Sequence, residues 1–468
     1  MSYKISGSIG TDSRILVFDE TTGTITGNEL VSSGEYEVLD VGEGSKTVLA
    51  RKSDGETVGY GNISPIFYEA FGLLHTLDNP NVYGTSEYDQ FGDSVAISGD
   101  NCIVGVPYED EVDEAEDSGK AYIFSVTTGN LLQTLDNPNP YGGPGYDRFG
   151  GSVAISGNRC IVCAAGEDEA GNSGSGKVYI FDVTTGNLLQ TLDNPNAYDT
   201  AASDGFGGAA AIDGNKCIVG ATGEDDAGGL SSGKAYIFDV TTGNILQTLD
   251  NPNAYAGSSY DYFGKRVAIS GNKCIISATG EDDASGGNSG KAYIFDVTTG
   301  NLLQTLDNPN AYGTSAIDYF GSSLAIYENT CIVGANYEED AGGTRSGKAY
   351  IFDVTTGNLL HTIDNPNTHG SSENDYFGGS VAISGNTCVV GAYQEEDAGG
   401  NYPGKAYVFN VTTGNLLHIL DNPNAHGDPE SDGFGYVVAI SGNKCIVGAV
   451  GESDSSGESS GKAYIFAV

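Results

Sequence analysis

Carboxylates are the side chains of this sequence that are best able to bind a ligand, because they recur in clusters at a fixed distance. One copy holds Glu224, Asp225 and Asp226, together with Asp250 before an Asn-Pro-Asn segment and Asp261 two residues before a Phe-Gly pair. Hard cations such as Ca²⁺ prefer several oxygen ligands of this kind. The candidate calcium ligands are Glu224, Asp225, Asp226, Asp261, Glu281, Asp282, Asp283 and Asp318.

A structural role for the same carboxylates is the interpretation that the sequence favours. No Asp-x-Asp-x-Asp-Gly ligand ladder accompanies them. Asp261 and its equivalents would then hydrogen-bond the backbone of their loops, and the Glu-Asp-Asp runs would be solvated surface. We therefore predict no cofactor, and keep a ring of weak calcium sites as the alternative.

Two further sets of residues are candidates for an interaction face. The most acidic loop of the chain runs from Glu109 to Asp117. Three tyrosines share one loop position in successive copies and could stack on a sugar or contact a protein partner, although plain packing is an equal alternative. The candidates are Glu109, Asp110, Glu111, Asp113, Glu114, Tyr198, Tyr255 and Tyr312.

Nothing in the sequence predicts catalysis. The five histidines replace glutamine or tyrosine at repeated positions, and two G-x-S-x-G matches have neither a following helix nor a plausible base. Seven of the eight cysteines occupy one repeat position, which indicates small buried apolar residues instead of disulfides or metal ligands. We predict a protein that is not an enzyme, with no catalytic residues.

The candidate residues belong to a unit that repeats along the chain. A Gly-Lys pair recurs every 57 residues, at Gly119, Gly176, Gly233, Gly290, Gly347, Gly404 and Gly461. A Phe-Gly pair recurs with it, at Phe91, Phe149, Phe206, Phe263, Phe320, Phe377 and Phe434. Seven copies of such a length indicate a repeat architecture.

Each unit predicts four antiparallel strands joined by tight turns. In one copy these are Arg266–Ile269, Cys274–Ile276, Ala292–Phe295 and Leu302–Leu306. Four strands in each of seven units predict an all-β, seven-bladed β-propeller. The chain begins its repeat half-way through a unit and ends it half-way through another, so residues 71–77 should complete the last blade and remove two exposed edges.

The predicted topology assigns the loops to two faces. The short turns between the first two and the last two strands of a blade share one face, and the long loops share the other. Residues 1–68 carry none of the repeat, but strand-like alternation predicts a small β-sandwich-like anchoring module there, followed by a propeller over residues 69–468.

Composition excludes several classes of partner. The 468-residue chain has a net charge of −43, so nucleic acid and anionic membrane surfaces are unlikely partners because both require cationic contacts. No apolar run is long enough to span a membrane. The segment after Met1 lacks the apolar stretch of a secretion signal, so we expect assembly in a host cytosol.

The units resemble the FG-GAP repeats of integrin α-subunit propellers, and more closely the bacterial and viral variety of that family. The resemblance rests on the segment from Phe263 to Asn272 and on the Gly-Lys-Ala-Tyr-Ile-Phe run, and it covers residues 71–468. One departure concerns calcium. The Asp-rich loop that holds calcium in the family is replaced here by Ser-Gly-Asn or a close equivalent, so that site is not carried over.

The N-terminal module, notably residues 50–62, is similar to short β modules in structural proteins of marine bacteriophages. This resemblance implies a virion component, such as a head decoration, tail appendage or fibre-associated adhesin. Its partners would be other virion proteins or copies of itself through the module, and a host-surface glycan or protein on the loop face. The alternatives are a bacterial extracellular adhesin or surface filament subunit, and, less favoured, a propeller enzyme.

Overall fold

The structure is a computed structural model that describes two parts of the chain in different detail. In the N-terminal part only strand backbones between residues 5 and 59 are described. From residue 72 onward the described ranges are 72–80, 88–110, 117–138, 146–168, 174–195, 203–225, 229–252, 260–282, 287–309, 317–339, 343–367, 372–396, 401–423, 432–453 and 459–468. Contacts divide the chain into two compact units, Met1–Gly72 with Ala467–Val468, and Leu73–Phe466.

The N-terminal unit is built of antiparallel strands. Its six strands are β1 Ile5–Ile9, β2 Ser13–Asp19, β3 Thr24–Val31, β4 Gly34–Val38, β5 Lys46–Lys52 and β6 Thr57–Gly59. Strand β1 pairs with β4, and the other four form a sheet in the order β3-β2-β5-β6. The alternating segments of the sequence are therefore strands, as predicted.

The second unit contains seven four-stranded sheets, which we call blades 1 to 7 in chain order. Its first strand is β7 Gly72–Asp78, of which all residues but Gly72 belong to this unit. Blades 1 to 3 comprise β8 Ser94–Ser98, β9 Asn101–Val106, β10 Lys120–Ser125, β11 Leu131–Asp136; β12 Phe149–Ser156, β13 Arg159–Ala164, β14 Lys177–Asp182, β15 Leu188–Asp193; and β16 Phe206–Asp213, β17 Lys216–Ala221, β18 Lys234–Asp239, β19 Ile245–Asp250.

The remaining blades follow the same order. Blades 4 to 7 comprise β20 Phe263–Ser270, β21 Lys273–Ala278, β22 Lys291–Asp296, β23 Leu302–Asp307; β24 Ser323–Tyr327, β25 Thr330–Ala335, β26 Lys348–Asp353, β27 Leu359–Asp364; β28 Ser380–Ser384, β29 Thr387–Ala392, β30 Lys405–Asn410, β31 Leu416–Asp421; and β32 Phe434–Ser441, β33 Lys444–Ala449, β34 Lys462–Ala467. We call the successive strands of a blade A to D.

The ring closes as the sequence predicts. The last blade has the strand order β32-β33-β34-β7, so β7, the first strand of this unit, supplies strand D of blade 7. This pairing occupies what would otherwise be two open sheet edges. The fold is therefore an all-β propeller of seven four-stranded antiparallel blades. None of the described segments is a helix that could cross a membrane.

The A strands line the centre of the ring. Each A strand contacts the A strands of both neighbouring blades, including β32 of blade 7 against β8 of blade 1. On the short-turn face, a side-chain oxygen at the end of one A strand accepts a hydrogen bond from the next blade, as Ser98 and Asp213 do. Ser441 Oγ of blade 7 accepts from the Gly99 amide of blade 1 at 3.2 Å, so these turn contacts also run across the closure.

The Phe-Gly pair allows neighbouring blades to pack closely against each other. Phe263 is fully buried and contacts Phe295 of its own blade edge-on, with ring centroids 6.0 Å apart. Gly264 has a φ of +91°, and a Cβ there would lie 2.4 Å from the Lys234 carbonyl oxygen of blade 3. Only glycine combines that backbone conformation with so close an approach, which explains why the pair recurs in every blade.

The core lies between blades, because strands B and C are buried on both faces. Each core cluster combines side chains of two neighbouring blades, such as Ile161 and Val178 with Phe206 and Val219. All eight cysteines are free and buried. The prediction that they are small buried apolar residues is confirmed.

Candidate functional site: the loop face of the propeller

The antiparallel blades place all B–C and D–A loops on one side of the ring, which we call the loop face. Neighbouring blades are tied together there by backbone hydrogen bonds. The amides of Tyr262 and Phe263, before strand A of blade 4, donate to the carbonyls of Ser231 and Ser232 in blade 3, at 3.2 and 3.0 Å. The same bond closes the ring, since the Phe91 amide donates to the Ser460 carbonyl at 2.9 Å.

A buried glutamate stands under the loop face in every blade. Glu281 is 1% exposed, and the Tyr293 hydroxyl donates to its Oε2 at 2.6 Å. The sequence interpretation of the Glu-Asp-Asp runs as solvated surface is therefore wrong for the first residue, which reaches a strand C tyrosine below the loop. The seven pairs are Glu109–Tyr122, Glu167–Tyr179, Glu224–Tyr236, Glu281–Tyr293, Glu338–Tyr350, Glu395–Tyr407 and Glu452–Tyr464.

Burial changes the acidity of these glutamates. It raises the pKa of Glu281 from 4.5 to about 7; the negative charge of Asp261 adds to the rise, and the Tyr293 hydrogen bond and Lys291 oppose it. The pKa of Glu109 rises further, to about 8, and its Oε2 has no hydrogen-bond partner among the described residues. These carboxyls are therefore poised to change charge near neutral pH.

The second acid of each run shapes its own loop. Asp225 Oδ1 accepts a hydrogen bond from the Ser231 amide at 2.7 Å, and Asp282 Oδ1 accepts one from the Asn288 amide at 2.8 Å. Asp110 does the same for the Asp117 amide at 3.0 Å. Side chains of aspartate often order loops by bonding nearby backbone amides, and these three do so here.

The aspartates before Phe-Gly are buried and bonded to a side chain. Asp261 is 4% exposed, and its Oδ2 accepts from Asn251 Nδ2 at 2.8 Å. Asp318 accepts in the same way from Asn308 Nδ2 at 2.9 Å. The charge of Asp261 acts on Glu281 of its own blade, so the sequence-based grouping of Asp261 with Glu224 joined residues of different blades.

The lysine of each Gly-Lys pair neutralises part of this negative charge. Lys234 Nζ lies 2.5 Å from Asp250 Oδ1, and Lys291 pairs with Asp307 in the same way. In blade 6 the lysine turns to the buried acid instead, with Lys405 Nζ 3.0 Å from Glu395 Oε1. Every lysine of the repeated Gly-Lys pair therefore has a carboxylate partner.

Calcium binding stays a prediction. Asp226 and Asp283 lie outside the described residues, and the other candidates make the hydrogen bonds given above. In the part of the chain that the structure describes, no group of three or more His, Cys, Asp or Glu side chains is arranged to hold a metal ion.

The predicted interaction residues fall into two groups. Glu111, Asp113, Glu114, Tyr198, Tyr255 and Tyr312 lie outside the described residues. Glu109 is fully buried, so its side chain is not on the surface where the sequence interpretation put it. Asp110 is exposed and orders the loop through the bond to the Asp117 amide.

The structure reveals a set of exposed residues that the sequence interpretation missed. In four blades, the residue three positions before the Phe of Phe-Gly has a large side chain on the loop face. Between 53 and 60% of its surface is exposed. Each has a left-handed φ between 63° and 66°, which is rare for bulky residues. We call them the rim residues: Tyr88, Tyr146, Tyr260 and Ile317. Their shared distance from Phe-Gly was the available signal.

Comparison with known families agrees with this geometry. Seven segments match the FG-GAP repeat, at residues 84–124, 140–181, 196–238, 253–295, 310–352, 369–409 and 425–466, which together cover more than half of the chain. Comparison with curated proteins found no match. Each matched segment runs from a D–A loop to strand C, and so covers strands A to C of one blade. The chain therefore belongs to the FG-GAP repeat family, whose propellers are typically non-catalytic interaction folds.

Proposed function

We propose that this protein is a non-enzymatic interaction protein of a bacteriophage particle, and that the loop face of its propeller holds the partner. The observation that carries the interaction role is the set of rim residues. They place four large apolar side chains on one face of a protein whose net charge is −43. Tyrosine is among the residues that most often dominate protein interfaces.

The rim side chains are not required by the backbone that carries them. Ser203 and Asn374 occupy the same repeat position with φ values of 65° and 62°. The left-handed conformation therefore belongs to the repeat, and small or polar residues satisfy it. Every residue with a Cβ carries backbone strain of roughly 1–2 kcal/mol there. A tyrosine or isoleucine in addition exposes apolar surface, which is consistent with selection for binding.

The particle assignment rests on the sequence. The similarity of residues 50–62 to modules of marine phage structural proteins supports attachment through the N-terminal module, and the acidic surface suits a saline medium. A head decoration, a tail appendage and a fibre-associated adhesin all fit these features. The alternative is a bacterial extracellular adhesin or surface filament subunit, which would use the same face.

Immunogold labelling of the source culture tests where the protein is displayed. Separate antibodies would be raised against residues 1–68 and against the propeller. We expect label on particles, with the propeller epitope accessible and the N-terminal epitope masked. Label on cell envelopes or free filaments would refute the virion assignment and favour the surface adhesin.

A matched pair of variants tests the loop face independently of that assignment. Tyr260→Ser removes a rim side chain, whereas Tyr327→Ser removes a tyrosine that is 38% exposed at the end of strand A, on the short-turn face. Binding of the labelled full chain to particles and cells of the source culture is measured. We expect Tyr260→Ser combined with Tyr146→Ser to weaken binding at least about tenfold. Equal losses for the two faces would contradict the proposal.

A further inference from the structure

The seven blades differ in sequence at the mouth of the central channel. The residue two positions after the Phe of Phe-Gly faces this mouth in all seven blades. Although the Phe-Gly pair never varies, this position takes five different residue types. In blade order they are Asp93, Gly151, Gly208, Lys265, Ser322, Gly379 and Tyr436.

These residues line a cavity of ≈ 600 Å³ at the loop-face end of the channel. Such a volume is typical of pockets for small ligands. Blades 2 and 3 contribute only small residues to its wall, among them Gly151, Gly208 and Ala209. The larger side chains of the other blades line the same cavity.

Blade 4 supplies two adjacent cations to the cavity. Arg266 is held in position because its Nε donates to the Ser322 carbonyl of blade 5 at 3.1 Å and a terminal nitrogen donates to the Lys265 carbonyl at 3.4 Å. A guanidinium has five N–H donors, so three remain for a ligand. The Lys265 side chain forms no hydrogen bond or ion pair with the described residues. The enclosing channel, and then the Arg266 charge, lower the Lys265 pKa.

This pair differs from most other cations of the described propeller. The repeated lysines of strand C have carboxylate partners, and Arg345 lies 5.1 Å from the ring centroid of Tyr337. Two neighbouring positive charges beside an open cavity repel each other, so an anion bound there would stabilise both.

Blades 5 to 7 supply an aromatic wall. Tyr337 contacts Tyr376 with ring centroids 5.3 Å apart, Tyr376 stacks on Tyr393 at 5.3 Å, and Tyr393 contacts Tyr436 edge-on at 5.5 Å. Three of these four tyrosines line the cavity. Such a wall offers flat apolar faces and hydroxyls together, which suits a ring that carries its own hydroxyl groups.

A third type of group completes the mouth. Asp93 enters from blade 1, and partial burial raises its pKa to about 6, against the opposing charges of Arg266 and Arg148. A carboxyl in this environment can accept or donate a hydrogen bond to a ligand hydroxyl near neutral pH. The mouth thus combines a cationic site, an aromatic wall and a polar group, with a flat wall of glycine and alanine.

We propose that the channel mouth binds a carboxylated sugar, with its carboxylate on Lys265 and Arg266 and its ring against the tyrosines. A carboxylate matches the two cations, and the sugar ring that carries it matches the flat faces and hydroxyls of the tyrosines. The inference rests on the non-enzymatic binding role proposed above, and it names a ligand class. It does not depend on where the protein is displayed or on the rim residues.

Isothermal titration of the purified full chain tests this site. The probes are trigalacturonic acid, the neutral trisaccharide of galactose, and acetate. We expect trigalacturonic acid to bind at least tenfold more tightly than either of the other two. Equal binding of the neutral sugar would refute the contact of a carboxylate with Lys265 and Arg266. Equal binding of acetate would refute a contribution of the sugar ring to affinity. If trigalacturonic acid does not bind at all, the proposed site is refuted.

Variants then assign the contact to residues. Arg266→Gln and Lys265→Gln should each weaken trigalacturonic acid binding about tenfold or more, because charge-assisted hydrogen bonds are lost. The Lys265 side chain makes no hydrogen bond or ion pair with the described residues, so its variant separates binding from folding. The control is Arg159→Gln, an arginine outside the mouth that donates to Asn215 Oδ1 at 2.8 Å. Unchanged binding in both mouth variants, or an equal loss in the control, would overturn the proposal.

Discussion

Replacing Glu281 by glutamine tests whether the buried glutamates make the propeller sensitive to pH. Glu281 is 1% exposed and its pKa is raised from 4.5 to about 7, mainly by burial. The folded protein therefore retains this proton to a higher pH than the unfolded chain does. The stability that results is present below pH 4.5 and is lost as the pH rises through about 7.

The size of the effect follows from the difference between the two pKa values. One pKa unit corresponds to about 1.4 kcal/mol, so the full shift of one glutamate corresponds to roughly 3 kcal/mol. The share of this stabilisation that is lost between about pH 5.5 and about pH 8 is about 2 kcal/mol. Glutamine cannot ionise. Its unpaired amide hydrogens lower stability by about 1–3 kcal/mol, but that loss does not vary with pH.

The assay is urea unfolding of the wild type and of Glu281→Gln, followed by circular dichroism across this pH range. We expect the free energy of unfolding of the variant, relative to the wild type, to rise by about 2 kcal/mol from about pH 5.5 to about pH 8. Glu328→Gln, at an exposed position in the A–B turn of blade 5, is the control and should leave the pH dependence unchanged. Parallel pH profiles for wild type and Glu281→Gln would refute the reasoning.

Three further predictions follow from the same structure. Gly264→Ala should lower the melting temperature more than Gly271→Ala, because a Cβ at Gly264 meets the Lys234 carbonyl oxygen at 2.4 Å, whereas one at Gly271 meets nothing within 4 Å; equal losses would contradict this. Burial raises the pKa of the Cys274 thiol to about 12, so a thiol reagent at neutral pH should label all eight cysteines only in urea, and labelling of the folded protein would refute it. The calcium sites predicted from the sequence should make the melting temperature rise with millimolar Ca²⁺ and fall with chelator, and the prediction fails if neither shift occurs.

The sequence predicts the blades well because each blade is encoded locally. Strands B and C are continuous apolar runs, the turns between strands are short, and the same order returns seven times. The half-units at the two ends of the repeat predict the closing strand β7 for the same reason. The Phe-Gly pair predicts the family, and the structure adds its cause, which is the close approach of Gly264 to the neighbouring blade.

The sequence predicts the candidate sites less well because their geometry is not local. In the run that begins at Glu281, all three acids look alike in the sequence. Of the two that the structure describes, only Glu281 reaches a buried tyrosine, since Tyr293 lies 12 residues further along the chain on strand C. Asp261 acts on Glu281 because the loop that carries Asp261 leads into the blade that contains Glu281, and the sequence alone does not show this.

The sequence by itself determined the fold class, the number of blades, the closure and the family. Tertiary structure alone decided which side chains meet. Lys265 and Asp93 lie far apart in the chain, and each replaces a glycine, serine or tyrosine of other copies. They line one cavity only because the ring closes and turns every A strand toward a common axis. Local interactions form the strands, whereas contacts across the axis exist only after all seven blades are packed.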